Sequence, residues 1–216
     1  MKLIALNVGR PRIVISNDEP VSTGIFKDPV QGSVMLRTLN LDGDRQADLT
    51  VHGGVSKAVY GYPSEHYSYW QTELPDIDLP RGMFGENFTT EGLFEEAVYI
   101  GDRFRIGDAE VIVTEPRMPC YKLGLKFGDA GVIKRFLASR RSGFYFAVVR
   151  EGLVGAGDPI ELTRQEQREI SVADITRLYA FDREDTESLQ RALAVEALPD
   201  SWKSYFRHQL EKQSIP

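Results

Sequence analysis

The residue with the widest chemical reach in this 216-residue chain is Cys120, its only cysteine. It stands in the run Pro116-Arg117-Met118-Pro119-Cys120-Tyr121-Lys122-Leu123. A strand-like segment, Glu110–Thr114, leads in, and two prolines then fix the backbone and end the ladder. Arg117 and Lys122 put positive charge on either side, which favours the thiolate, the form that binds metals and attacks electrophiles. The competing reading is a buried cysteine packed as a small hydrophobe. A single cysteine excludes an intramolecular disulfide and any Cys-rich zinc or iron–sulfur site.

A second cluster runs from Gly43 to Tyr60. Arg45, His52 and Lys57 are side chains that pair well with phosphate. Gly53 and Gly54 allow a close backbone approach to a ligand, or a turn with positive φ. The spacing of a Walker loop is missing, and a polar hairpin connection explains the stretch equally well. A third stretch, Arg81–Gly92, contains Asn87 among glycines and short polar side chains, which suits a loop folded against a ligand or an ordinary connection. No Ser-His-Asp order, His-Glu-x-x-His motif or dinucleotide fingerprint is present. The histidines at 52, 66 and 208 are too scattered for a local metal-binding pair.

These clusters need a scaffold, and the first two thirds of the chain read as short strands between turns. Lys2–Val8, Arg12–Ile15, Ala58–Tyr62, Glu110–Thr114 and Phe144–Val149 are rich in β-branched and aromatic residues. Such spacing predicts a sandwich or barrel rather than repeating βαβ units. Two helices interrupt it, one after Pro63 with Ser64 as candidate cap, the other over Asp129–Arg140. After about Leu162 the texture changes to three helical segments, Ser171–Ala180, Thr186–Ala194 and Asp200–Lys212, with start signals at Ser171, Asp185 and Asp200. The predicted division is a barrel unit over residues 1–165 and a small helical unit over 166–216, too short for a large core of its own.

Composition bounds the partners. A net charge of -6 with a pI near 5.2 argues against a nucleic-acid binder, although one cleft can still be basic. No run approaches the roughly 20 apolar residues of a membrane span, and residues 1–12 read as a first strand rather than a signal peptide. A cytoplasmic location is the expectation, with no membrane partner.

The segments GDRQADLTVHGGVSKAVYGYP, GMFGENFTTEGL and VYIGDRFRIGDAEVIVTEPRMPCYKL, in this order and followed by a helical tail, resemble the MOSC superfamily. More narrowly the chain is similar to its YiiM-like branch, linked to resistance against 6-hydroxylaminopurine, and the similarity spans essentially the whole length. The resemblance implies a mainly β fold with added helices: an antiparallel MOSC β-barrel followed by a three-helix C-terminal domain. It also implies a molybdenum cofactor, a molybdopterin, rather than pyridoxal phosphate, with Cys120 as the protein's thiolate ligand and catalytic residue. Thiolate is a soft ligand suited to such a metal.

The activity implied is reduction of N-hydroxylated bases such as 6-hydroxylaminopurine to amines, with two electrons and two protons releasing the oxygen as water. The cofactor would carry the redox step while the protein sets position and access. Arg45, His52, Lys57, Arg117 and Lys122 are the candidates for the cofactor phosphate and pterin edge. Asn87 and the Gly53-Gly54 backbone are candidates for hydrogen bonds. Phe84, Tyr60 and Tyr121 are available as aromatic faces for a substrate, or as core. Electrons would come from a separate flavoprotein reductase, and a homodimer is compatible with the sequence. The alternative is a non-catalytic module that carries the cofactor or sulfur through the same cysteine.

Overall fold

A computed structural model describes residues 1–48, 53–167 and 170–213. Its strands, in chain order, are β1 (Lys2–Val8), β2 (Arg12–Ser16), β3 (Glu19–Thr23), β4 (Asp28–Pro29), β5 (Ser33–Leu36), β6 (Val59–Pro63), β7 (Phe88–Glu91), β8 (Arg103–Ile106), β9 (Ala109–Pro116), β10 (Phe144–Arg150), β11 (Gly152–Gly155) and β12 (Ile160–Arg164). Its helices are α1 (His66–Glu73), α2 (Tyr121–Phe127), α3 (Gly131–Ser139), α4 (Val172–Ala180), α5 (Thr186–Leu193) and α6 (Asp200–Gln213).

Eight strands form one sheet in the order β12-β8-β9-β10-β6-β7-β1-β4, antiparallel except for β6 against β7. That parallel pair needs a crossover, which α1 and the loop after it supply. β5 pairs with β11, and β2 with β3, as separate ribbons. The mainly β fold with added helices is as expected, and the sheet is not closed by a continuous ladder. The two flanks meet at a single bridge, Lys2 to Pro159, flanked by backbone bonds from Leu3 N to Asp158 O (2.9 Å) and from Ile160 N to Met1 O (3.0 Å). Pro159 has no N–H to give, which limits further pairing there.

The predicted strands appear close to their expected limits; β6 is buried throughout, whereas the first part of β9 alternates as a half-buried strand does. In β9, Ala109, Val111 and Val113 are buried while Glu110 and Ile112 are only partly covered. Alternation then fails, and Thr114, Glu115 and Pro116 are all buried. The register explains part of this. Tyr145 faces Glu115, but Phe146 faces Val113, so Thr114 is an extra residue on β9. This bulge breaks the alternation that would have set Glu115 on the face of Val111 and Val113. Thr114 Oγ1 fastens the irregularity, its one hydroxyl proton lying within reach of Ser56 O (2.6 Å) and Tyr145 O (3.1 Å).

The three C-terminal helices form where predicted. Ser171 caps α4 in a capping box: its Oγ accepts from Asp174 N at 3.0 Å, and Asp174 Oδ2 accepts from Ser171 N at 3.1 Å. Asp185 caps α5 through Ser188 N at 3.0 Å. At α1 the expectation needs correction, since Glu65 rather than Ser64 holds the cap position and no side chain bonds there. Ser64 is instead tied to β7 by its N–H to Thr90 O (2.6 Å). The sequence reading also missed α2, whose seven residues follow two prolines and include Gly124.

Two apolar clusters organise the interior. One runs without a break from sheet residues such as Phe104, Val113 and Phe146 into Ile175, Leu178, Leu189 and Phe206 of the helical end. The other is aromatic, built by Tyr60, Tyr62, Trp70, Phe84 and Phe136 under α1, α2 and α3. Cys120 lies where β9 leaves the sheet and α2 begins.

Candidate functional site

Cys120 is the residue before the first turn of α2, in extended backbone geometry and half-buried. The prolines at 116 and 119 carry the chain off the end of β9, so the cysteine is lifted out of the ladder and stands between two clefts. The first cleft encloses about 660 Å³, its open mouth included. Of the residues singled out from sequence, it gathers Lys57, Asn87, Arg117, Cys120 and Lys122. Residues from more than 60 positions apart meet here because β6, β9 and β10 are neighbours in the sheet.

Arg117 is the most constrained cation of the cleft. It is only 5% exposed, and its guanidinium carbon lies 5.0 Å from the Phe136 ring centroid and 5.4 Å from that of Tyr60. These faces attract a cation, yet they cannot accept all its N–H groups. Its Nη1 has no hydrogen-bond partner among the described residues. Leaving a buried donor unpaired costs about 1–3 kcal/mol, and more when charged. Lys122, on the first turn of α2, is also buried. Lys27 lines the same cleft but is ion-paired to Asp44 at 2.5 Å.

Asn87 is placed in the cleft but is otherwise engaged. Its Oδ1 accepts from Tyr60 N (3.2 Å), and its Nδ2 donates to Asn7 O (3.1 Å) and Asp44 Oδ2 (3.0 Å). Both amide hydrogens are thus used within the fold. The neighbouring Glu86 cross-links the same loop by accepting from Gly82 N, Phe84 N, Thr89 Oγ1 and the Tyr67 hydroxyl. Gly85 adopts φ 83°, and a Cβ there would come 2.8 Å from Ile25 Cγ1. The third stretch is therefore a rigid wall.

Other expectations fall elsewhere. Arg45 is exposed and does not line the cleft; its backbone N donates to Gly9 O at 3.0 Å, while Gln46 and Ala47 take the wall positions. Gly53 and Gly54 are also outside the lining, and Gly54, at φ 92°, begins the 3-10 turn Val55–Lys57. His52 lies outside the described residues. Tyr60 and Phe84 do line the cleft, but both are core residues, 4% and 0% exposed, while Tyr121 points to solvent.

The second cleft shares Lys57, Met118, Cys120 and Tyr145 with the first. Its far wall is Tyr179 of α4 with Ser201, Trp202 and Tyr205 of α6, and its near wall includes Glu115. Glu115 Oε2 accepts from Trp202 Nε1 at 2.8 Å and lies 3.7 Å from Lys57 Nζ. Burial raises the Glu115 carboxyl above the usual carboxylate range, with Lys57 opposing. Burial also pushes Tyr145 up to about 12, so this phenol stays neutral between the clefts. Glu115, Tyr179, Trp202 and Tyr205 carried no local signal; the bulge and the docking of α6 bring them together. Among the described residues no three His, Cys, Asp or Glu side chains gather as a metal set, and no helix is long and apolar enough to cross a membrane.

The MOSC domain matches residues 48–161, and the YiiM-like 3-alpha helix domain matches residues 170–213. The chain belongs to the MOSC-domain proteins, in the branch that carries the YiiM-like three-helix domain. It is 41% identical over 204 residues to protein YflK of Bacillus subtilis (strain 168), covering 94% of this chain and 92% of that one. The crystal structure of YiiM from Geobacillus stearothermophilus superposes with a TM-score of 0.82 at 32% identity, covering 97% of this chain and 98% of that one. A protein named "Reductase" from Gibberella moniliformis is 34% identical over 161 residues, 73% of this chain and 28% of that protein.

Proposed function

We propose that this protein is a molybdenum-cofactor-dependent reductase that converts N-hydroxylated compounds, such as 6-hydroxylaminopurine, to amines. The observation that carries the reading is Arg117: a buried guanidinium with an unpartnered Nη1, in the lining of the cleft that also holds Cys120. A donor left in this state is matched by an anionic oxygen from a ligand, and the cofactor carries a phosphate. Lys122 and Lys57 add charge to the same cleft. Cys120 is the one thiolate that the chain offers, so a metal held here would take its remaining ligands from the cofactor. Membership of the MOSC proteins and the name of the fungal relative support the reductase class.

When bound, the cofactor supplies the two-electron chemistry that turns R–NHOH, with two protons, into R–NH2 and water. The chain's own residues have the remaining tasks. Cys120 would ligate the metal. Arg117 and Lys122 would hold the phosphate and pterin edge, and the wall around Gly85 and Asn87 would limit water. Electrons would come from a separate flavoprotein.

Metal and pterin analysis of protein made in a cofactor-competent host tests the assignment. Wild type should carry stoichiometric molybdenum, Cys120→Ser should lose it or change its spectrum, and Arg117→Ala should lose pterin. Matured wild-type protein without molybdenum or pterin sinks the reading. Retained metal without turnover, when a reduced flavoprotein is supplied, favours the carrier alternative.

A further inference from the structure

The two clefts that meet at Cys120 differ in chemistry. The first presents Arg117 and Lys122 and suits an anion. The second presents the rings of Tyr179, Trp202 and Tyr205 together with a buried carboxyl group, that of Glu115. Aromatic walls with one polar group suit a planar ring that carries a hydrogen-bond donor at its edge. Tyr179 and Tyr205 pack with centroids 5.2 Å apart, and the Tyr205 hydroxyl donates to Tyr179 O at 3.4 Å, so the wall is held as a unit. Both rings are only partly buried, which leaves a face for a ligand.

Glu115 gives the cleft its direction. Its side chain is 5% exposed. Oε2 is taken by Trp202 Nε1, whereas Oε1 has no hydrogen-bond partner among the described residues. Trp202, Ser56 and Lys57 all surround this carboxyl group, and a ligand donor entering the cleft would supply the partner that Oε1 lacks.

We propose that the second cleft is the substrate subsite, in which a planar N-hydroxylated heteroaromatic lies against Tyr205 and Tyr179 while its exocyclic N–H donates to Glu115 Oε1. The placement rests on the reading of Cys120 as the cofactor's protein ligand, since it takes the first cleft as filled. The helical end then forms half of the site. Glu115 selects for a ligand with an exocyclic N–H, and the rings select for a flat one.

Calorimetric titration with 6-hydroxylaminopurine and with unsubstituted purine, on cofactor-loaded protein without an electron donor, tests this with no turnover. Tyr205→Leu should weaken 6-hydroxylaminopurine about tenfold, the scale of one lost stacking ring, and Tyr205→Phe should restore it. Glu115→Gln should remove the preference for 6-hydroxylaminopurine over purine. Both Tyr205→Leu and Glu115→Gln should retain molybdenum at the wild-type level. Wild-type affinity in both variants, or no binding by wild type, overturns the subsite. An equal loss for both compounds in Glu115→Gln overturns the role of Oε1. Molybdenum retained with binding indifferent to Tyr205 and Glu115 sinks the subsite alone. Tyr205-dependent binding by matured wild-type protein that carries no molybdenum sinks the cofactor reading alone.

Discussion

Lys126 shows how a charged side chain can serve the site without lining it. Its Nζ donates to Ile25 O at 3.1 Å and to Gly82 O, so it clamps two segments beside the first cleft. Burial lowers its ammonium to about 8. An unfolded lysine titrates at about 10.4. Between those values the unfolded chain binds more protons than the folded one, so stability rises with pH across that window. Below it, the folded protein bears the cost of a buried charge. Urea unfolding of wild type and Lys126→Met at pH 7 and pH 10 should show the wild type gaining on the order of 2–3 kcal/mol relative to the variant. Parallel curves at the two pH values would show that the burial of Lys126 carries no such cost.

At the scale of elements, the caps and the bulge do different work. The capping box at Ser171 starts α4, and Ser171 also bridges Tyr99, so one residue anchors the helical end to the sheet. Ser171→Ala should cost about 1 kcal/mol, read as a melting temperature lower by about 2–4 °C. Cofactor content should be unaffected, since α4 reaches the clefts only through Tyr179. The caps were legible because they follow local rules. The bulge at Thr114 was not, because it is defined only by the partner strand, and with it went the burial of Glu115.

For the molecule as a whole, the change of texture near residue 165 marks a change of element type, and we propose that it does not mark a break in the core. Val172, Ile175, Leu178, Leu189, Val195 and Phe206 are fully buried in the same apolar cluster as the sheet. At about 1.5–3 kcal/mol each, their burial contributes on the order of 10 kcal/mol, comparable with the entire stability of a domain. A chain ending at residue 165 should therefore lose its cooperative thermal transition and expose apolar surface to a hydrophobic dye. A sharp transition in that truncated chain would make the helical end a separable appendage.

Read alone, the sequence determined the strand-rich first two thirds, the three terminal helices with two of their side-chain caps, and the cysteine between Arg117 and Lys122. These rest on local features, namely β-branched and aromatic runs between turn residues, capping and local charge, which a linear text records. The family resemblance added what such a metal site would hold. Only the tertiary structure decided that Lys57, Arg117, Cys120 and Lys122 share a cleft, that Arg45 does not, and that Asn87 is spent on internal bonds. It alone placed Trp202 against Glu115, 87 positions away. Such pairings depend on strand register and on which helix covers which strand end, and those are set by the burial of the whole core rather than by any local pattern.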